Sequence, residues 1–322
     1  MALKSLSAIV MFIGILVTGC DESSDAEATP GGRYRVVCTV GMVADVVRNV
    51  AGDRAEVTQL MGAGVDPHGY KPTRDDVVRL EQADVVFYSG LFLEGKMAET
   101  LKKMSETRKI YAATDSIDRA KLIHPEGGHQ QYDPHVWMDA SLWAETALVI
   151  GDRLSEYDPT NAATYKQNAA AYAERCRQLF AWGKQVMATV PPDHRVLVTS
   201  HDAFNYFGRA YGVEVMGVQG ISTESEANVR DINHLVDLLV DRKVKAVFVE
   251  SSVAPKNLQA VIEGAKSRNH PVTIGGELFS DAMGAAGTYE GTYLGMIDHN
   301  ITIVVKALGG TVEDKGWQGK LK

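Results

Sequence analysis

Cysteine is scarce in this chain, which has three among 322 residues. No two of them form a Cys-x-x-Cys pair, so neither a thiolate metal site nor a dithiol redox centre is predicted. Basic residues are not in excess, because the formal net charge is −8 at pH 7. A nucleic-acid partner requires a basic surface that neutralises phosphates, so that class of protein is disfavoured. Apolar residues make up 45% and charged residues 23%, which is typical of a globular protein of about two domains.

The N-terminus has the layout of an export signal. Lys4 precedes a mostly apolar run at 8–17, which is too short to span a bilayer. The run ends in Val-Thr-Gly-Cys, which resembles a bacterial lipobox. We therefore expect residues 1–19 to be a lipoprotein signal peptide and Cys20 to carry the lipid that anchors the chain to a membrane. An ordinary signal peptide with an incidental cysteine is the alternative.

Strand and helix patterns alternate through the rest of the chain. Residues 20–32 are acidic, small and polar, and they are predicted to be a flexible tether. Beyond them, short apolar runs separated by helices predict parallel sheets covered on both faces. A long helical stretch at 158–190 ends at a Pro-Pro pair. The predicted fold is α/β, with lobes at 33–157 and 191–322 joined by one rigid linker helix. In such a fold the ligand binds in the cleft between the lobes, beyond the carboxyl ends of the strands.

Four polar residues lie near the ends of predicted strands or the starts of predicted helices. His68 and His135 each end an Asp-Pro-His triplet, while His201 and Asp281 follow strands of the second lobe. Three imidazoles and a carboxylate are a suitable ligand set for a divalent transition metal. Taken alone, a histidine after a strand is more often a hydrogen-bonded structural residue than a metal ligand.

The aspartates of the two triplets have two candidate roles. Asp66 and Asp133 are candidates for accepting the second ring N–H of a ligand histidine, or for capping the turn that precedes it. His124 and His129 lie in a polar loop, for which solvent exposure is the default prediction. The remaining histidines are assigned no function: His194, His234, His270 and His299.

Five segments of the chain resemble the metal-binding solute receptors of bacterial ABC importers, specifically the zinc and manganese group known as cluster A-I. The similarity covers about residues 33–308, and its most specific segments are 65–70, 133–139, 199–207, 249–252 and 276–281. The resemblance implies two α/β lobes joined by a rigid helix, with one metal ion buried between them.

The resemblance also implies the ligands, which are His68 and His135 from the first lobe and His201 and Asp281 from the second. Manganese receptors commonly have glutamate at the third position, whereas histidine is typical of zinc receptors and of a subgroup reported to take both metals. The loop at 124–131 is short, as in that dual subgroup. The expected function is capture of one Zn²⁺ or Mn²⁺ ion per chain and its delivery to a permease. We expect a monomer without enzymatic activity, facing the periplasm or the cell exterior.

Two other functions remain open at this point. An exported zinc hydrolase would need an open coordination position, which Asp281 as a fourth ligand would close, and the chain contains neither an HExxH helix nor a GxSxG turn. A surface adhesin or interaction lipoprotein with a structural metal would expose a large apolar patch away from the cleft.

Overall fold

A computed structural model describes residues 32–125, 131–225 and 227–322. The predicted signal peptide, the predicted lipidation site Cys20, most of the predicted tether and His129 lie outside these residues. None of the described helices is both long enough and apolar enough to cross a membrane.

The first half of the chain forms a parallel sheet with the strand order β2-β1-β3-β4. Its strands are β1 (Tyr34–Cys38), β2 (Ala55–Gln59), β3 (Val85–Tyr88) and β4 (Ile110–Ala112). Val36 of β1 pairs with Val57 on one side and Val85 on the other. The β-branched side chains of β1 and β3 are buried, as expected when helices cover both faces of a sheet.

Side-chain caps fix the two helices that follow the loops carrying His68 and His135. The helices of this half are α1 (Gly41–Ala51), α2 (Arg74–Gln82), α3 (Lys96–Met104) and α4 (Ala140–Tyr157). Thr73 is the N-cap of α2 and forms a reciprocal capping box with Asp76. Asp139 caps α4 by accepting hydrogen bonds from the backbone N–H groups of Ser141 and Leu142.

A long helix, α5 (Ala162–Met187), lies within the stretch predicted at 158–190. One 3-10 turn, Pro159–Asn161, precedes it. Its 26 residues extend about 39 Å at 1.5 Å per residue. This length is sufficient for one helix to contact both halves of the molecule.

The second half contains two parallel strand pairs, β5–β6 and β7–β8, and β5 lies beside β7. The strands are β5 (Val196–His201), β6 (Glu214–Gln219), β7 (Ala246–Glu250) and β8 (Thr273–Leu278). The helices are α6 (Asn205–Tyr211), α7 (Val229–Asp241), α8 (Lys256–Ser267) and α9 (Tyr293–Ala307).

The apolar core connects the two halves through α5. One large buried cluster combines side chains of the first sheet with those of α4, α5, α6 and α9, and a smaller one lies among β5 to β8, α7 and α8. Gly183 of α5 marks a close approach between α5 and the second half, because a Cβ there would lie 2.7 Å from atoms of both Ile301 and Tyr211. The fold is thus of the predicted α/β class, with parallel sheets flanked by helices and with α5 packed against helices of both halves.

Candidate metal centre

The four side chains predicted as ligands converge between the two halves. His68 lies in the loop after β2, His135 precedes a 3-10 turn, His201 is the last residue of β5, and Asp281 lies three residues beyond β8. All four are buried, and their candidate ligand atoms lie within 4.8 Å of one another. We refer to these four residues as the His₃Asp cluster.

Asp281 is the centre of the His₃Asp cluster. Its Oδ1 lies 3.3 Å from His135 Nε2, and its Oδ2 lies 3.2 Å from His201 Nε2 and 3.5 Å from His68 Nε2. The Nε2 atoms of His68 and His135 are 3.4 Å apart. Ligands bound tetrahedrally at about 2.0–2.1 Å from a zinc ion lie about 3.3–3.4 Å from each other. The spacing of these atoms therefore fits one small divalent cation.

Several of these buried atoms lack hydrogen-bond partners. Within the described part of the chain, His201 Nε2 and both carboxylate oxygens of Asp281 are shielded from solvent, and their close approaches lack hydrogen-bond geometry. Buried polar atoms normally have a partner, because desolvating an unpaired one is costly. A bound cation would satisfy all three atoms together.

Carboxylates accept hydrogen bonds from the Nδ1 atoms of two of the three imidazoles, on the side of the ring away from the cluster centre. Asp133 Oδ1 accepts hydrogen bonds from His135 Nδ1 at 2.8 Å and from the His135 backbone N–H at 2.9 Å. Glu250, the last residue of β7, accepts from His201 Nδ1 at 2.5 Å and from the His201 backbone N–H at 2.8 Å. These contacts direct each Nε2 toward the centre of the cluster, away from the carboxylate that holds the ring. Asp133 thus has both roles that its triplet predicts, whereas the role of Glu250 was not predicted.

His68 is held in a different way. Asp66 Oδ1 accepts the His68 backbone N–H at 2.9 Å, which is the turn-capping role. Asp66 Oδ2 accepts the hydroxyl of Thr223, which belongs to the loop after β6, at 2.5 Å. Among the described residues, Asp66 therefore restrains the main chain of this ligand loop and links it to the second half, without bonding the imidazole ring.

The surroundings shift the pKa values of His68 and His135 in opposite directions. Burial lowers the pKa of His68 to about 4, which outweighs the attraction of Asp281. Burial also opposes the charged form of His135, but the nearby carboxylates of Asp133 and Asp281 outweigh it and raise the pKa of His135 to about 9. A metal ion that binds His135 must therefore displace a proton from it near neutral pH.

His201 and Asp281 stabilise each other's charged forms. Burial opposes the imidazolium of His201, yet the carboxylates of Glu250 and Asp281 hold its pKa well above the usual range. Burial likewise opposes the Asp281 carboxylate, yet His201 and His135 hold its pKa well below the usual range. Asp281 is therefore ionised and ready to act as a ligand.

An open cleft of about 960 Å³ reaches the His₃Asp cluster at His68. Its walls come from both halves of the chain, and they include Phe92, His124, Tyr132, Asp202, Asn205 and Ile221. His124 is exposed, as predicted for its loop, and its ring lies 4.2 Å from that of Tyr132 between centroids. A hydrated ion thus has a route to the cluster that meets His68 first.

The deep side of the cluster is closed by contacts between the halves. Trp137, two residues after His135, donates its indole N–H to the carbonyl oxygen of Ser280 at 3.0 Å. Ser280 precedes Asp281, so this hydrogen bond ties a ligand segment of one half to a ligand segment of the other. The Tyr293 hydroxyl donates to the Trp137 carbonyl oxygen at 2.7 Å and supports the same junction.

Three of the histidines that were assigned no function have structural contacts. The ring nitrogens of His194, His270 and His299 lie within hydrogen-bond distance of backbone carbonyl oxygens, at 3.3, 2.6 and 3.0 Å respectively.

Comparison with known proteins decides the family. Residues 36–307 match the family model described as zinc-uptake complex component A, periplasmic. The chain belongs to this family. Its members are solute-binding components of metal transporters, so the predicted resemblance is confirmed.

Two relatives and one solved structure show how closely the chain follows other component A proteins. It is 46% identical to the manganese-binding lipoprotein MntA of Bacillus subtilis, over 95% of this chain and 99% of MntA. It is 41% identical to the zinc-binding protein TroA of Treponema pallidum, over 95% of this chain and 98% of TroA. The solved structure of the periplasmic zinc-binding protein TroA matches with a TM-score of 0.83 and 44% identity, covering 86% of this chain and 99% of that one.

Proposed function

We propose that this protein captures one divalent transition-metal ion outside the cytoplasm and delivers it to the permease of an ABC importer. The proposed ligands are the four residues of the His₃Asp cluster. The observation that carries the proposal is that two buried ligands from each half meet at the spacings that a tetrahedral ion requires. Membership of the component A family supports the delivery step.

The cargo in this proposal is Zn²⁺ or Mn²⁺. Three imidazoles favour Zn²⁺, because carboxylate and water suit Mn²⁺ better and because Mn²⁺ lies below Zn²⁺ in the Irving–Williams order. Among the relatives, MntA is named for manganese and TroA for zinc. We therefore expect the purified chain to bind Zn²⁺ more tightly than Mn²⁺.

We also propose that the chain is exported and anchored by lipid on Cys20. The lipobox-like Val-Thr-Gly-Cys sequence supports this proposal, as does the description of the relative MntA as a lipoprotein. The lobes at 33–157 and 191–322, the linker at 158–190 and the monomeric state belong to the same proposal.

Titration of metal-free protein with Zn²⁺ by calorimetry tests the function. Wild type should bind one ion per chain tightly. His68→Ala and Asp281→Ala should each lower the affinity by more than the roughly 10–100-fold that follows loss of an outer contact, because each removes a ligand directly. His234→Ala is the matched control, since His234 is exposed on α7. Absence of one-to-one binding by wild type, or an unchanged affinity in His68→Ala, would contradict the proposal.

The two alternatives are less well supported than metal delivery. A zinc hydrolase needs an open coordination position, but Asp281 lies close enough to the three imidazoles to fill the fourth one. In an adhesin the metal would serve only the fold and would stay bound. Slow or absent exchange of bound Zn²⁺ with a chelator would favour that alternative, whereas a delivery protein should release its ion.

A further inference from the structure

A buried carboxylate outside the His₃Asp cluster organises a turn beside His68. Glu94 is fully buried. Its Oε1 accepts the Thr39 hydroxyl at 2.8 Å and the Ser89 backbone N–H at 2.6 Å, and its Oε2 accepts the Gly90 backbone N–H at 3.3 Å. A buried carboxylate is stable only where donors of this kind surround it. Its three donors follow the carboxyl ends of β1 and β3, so Glu94 connects the ends of these two central strands to the turn.

The backbone of this turn, residues 89–95, is strained. Gly90 and Gly95 have φ values of 93° and 49°, and between them Leu91 and Phe92 have φ values of 53° and 67°. Two adjacent non-glycine residues in the left-handed region are unfavourable and persist only where the surroundings impose them. The hydrogen bonds to Glu94 supply that constraint, because they fix the residues at the start of the turn.

The turn 89–95 packs directly against the main chain of His68. A Cβ at Gly95 would lie 2.2 Å from the carbonyl oxygen of His68 and 3.3 Å from its carbonyl carbon. The position therefore requires glycine both for its φ value and for this contact. Phe92, which is 47% exposed, lines the same cleft as His68. The turn thus contacts His68 and borders the route by which a metal enters.

His68 depends on such support more than the other two imidazoles do. Carboxylates bond the rings of His135 and His201, whereas Asp66 holds only the backbone N–H of His68. The location of the His68 ring is therefore set by its main chain. Asp66 fixes one side of that main chain, and the contact at Gly95 fixes the other.

We propose that Glu94 is a positioning residue for metal binding, which acts by holding the turn 89–95 against His68. When the turn loosens, His68 is the ligand that moves, so a bound ion dissociates faster. The inference rests on the proposed function, because it concerns the same metal site. Wild-type binding of Zn²⁺ tests that function separately from the variants described next.

Gly95→Ala tests the contact between the turn and His68. The expected result is a loss of Zn²⁺ affinity of about 10–100-fold, the range seen when support of a ligand is removed, and mainly through faster dissociation. Gly52→Ala is the matched control, because Gly52 has a φ of 55° but a Cβ added there would meet no atom within 4 Å. It introduces the same backbone strain without the clash and should leave the affinity within about twofold.

Substitutions of Glu94 test the carboxylate itself. Glu94→Gln keeps one acceptor oxygen for Thr39 and Ser89, so it should retain more Zn²⁺ affinity than Glu94→Ala, which keeps none. Glu99→Gln, at an exposed position of α3, is the control and should resemble wild type. Equal affinity in Glu94→Ala and wild type would overturn the proposal. If Glu94→Ala does not fold, the Zn²⁺ affinity of Gly95→Ala tests the proposal in its place.

The visible spectrum of bound Co²⁺ separates positioning from general destabilisation. With His68→Ala as the reference for a site lacking this ligand, the Co²⁺ spectra of Gly95→Ala and Glu94→Ala should shift from that of wild type toward that reference. Adding Gly95→Ala to His68→Ala should cause little further loss of affinity, since the two changes act on one ligand. A Gly95→Ala protein that melts earlier but keeps the wild-type Co²⁺ spectrum and Zn²⁺ affinity would overturn the proposal. Failure of wild type to bind either metal would instead overturn the proposed function.

Discussion

Asp133 and Glu250 each bond both the ring and the backbone of a ligand histidine. Because a ring held in this way has one orientation, little rotamer freedom remains to be lost when a metal binds. The carboxylates also make the imidazoles more basic, so protons compete with the metal. Tight orientation and strong proton competition therefore have the same structural source.

The affinity for Zn²⁺ should fall as the pH falls below about 9. The pKa of His135 is raised to about 9, so below that pH the metal-free ring is protonated and binding must release the proton. Each proton released lowers the affinity by about tenfold per pH unit. His68, with its pKa lowered to about 4, adds nothing to this slope near neutral pH. Calorimetry at several pH values, in buffers of different ionisation enthalpy, counts the protons released.

Asp133→Asn is the variant that tests the cause of this pH dependence. The amide oxygen still accepts hydrogen bonds from His135, but the charge that raises the pKa of His135 is lost. Fewer protons should therefore be released near neutral pH, and the slope should become shallower. An unchanged proton count in Asp133→Asn would show that this carboxylate does not control the titration.

The convergence of the four proposed ligands could be predicted from sequence, but one of the carboxylates that hold them could not. The Asp-Pro-His triplets place Asp133 two residues before His135, so that contact follows from local geometry. Glu250 reaches His201 across 49 residues, through the adjacency of β5 and β7. No local pattern specifies which strands are neighbours. A carboxylate at the carboxyl end of a buried strand was the available signal.

At the level of secondary-structure elements, a close approach between β6 and the end of β5 positions a ligand. A Cβ at Gly217 of β6 would lie 2.4 Å from the backbone nitrogen of Asp202 and 2.6 Å from the carbonyl carbon of His201. These neighbours are backbone atoms, which cannot rotate away. The absence of a side chain at Gly217 therefore lets β6 lie against the residue that carries the ligand.

Gly217→Ala should move His201 and weaken Zn²⁺ binding by about tenfold, the lower end of the range for loss of ligand support. Calorimetric titration measures the effect. Gly220→Ala is the matched control in the following loop, because a Cβ at Gly220 would have no neighbouring atom within 4 Å. If both variants bind like wild type, the strand end has more freedom than the packing indicates.

The start of α9 shows where sequence patterns lose precision. The sequence pattern predicts a closing helix at 288–308. In the structure α9 begins at Tyr293 and is capped by Thr292, whose hydroxyl accepts the Gly295 N–H at 3.1 Å. Thr288 makes an equivalent contact to Gly291 at 3.0 Å within a separate turn. Both threonines carry the same capping signal, so only the packing of the turn decides between them. The existence of the helix was predictable, whereas its first residue was not.

At the scale of the whole molecule, a hydrogen bond joins the two halves beside the cleft. The Thr223 hydroxyl donates to Asp66, and the other oxygen of Asp66 holds the backbone of His68. Separation of the halves at this point would therefore release the restraint on His68. The junction at Trp137 and Ser280 lies on the deep side and is buried. The contact between Thr223 and Asp66 is the weaker of the two, because both residues are partly exposed to solvent.

Thr223→Val should raise the dissociation rate of Zn²⁺ several-fold while leaving the fold intact. The substitution keeps the shape of the side chain but removes a hydrogen bond, whose net contribution is about 0.5–1.5 kcal/mol. Stopped-flow release into a chelator measures the rate. Thr164→Val, at an exposed position of α5, is the control. A release rate equal to that of wild type would show that this contact does not restrain the ion.

The alternation of strands and helices predicted the fold class, but it could not predict the shared core. Apolar periodicity identifies the buried face of each element without identifying what covers it. α5 is rich in small and polar residues, and it was predicted only as a rigid connection. The contacts of Gly183 with Ile301 and Tyr211 come from residues more than twenty positions away along the chain. Such pairings depend on the assembled structure.

Because α5 packs against helices of both halves, it has a consequence for how the protein meets its permease. If metal binding barely changes the shape of the molecule, the metal-loaded and metal-free forms present nearly the same surface to the permease. Metal-free molecules would then compete with metal-loaded ones for the permease, and an excess of the metal-free form would slow import. Discrimination between the two would have to come from the few exposed groups at the cleft mouth, where the turn bearing Phe92 and the loop bearing Thr223 face outward.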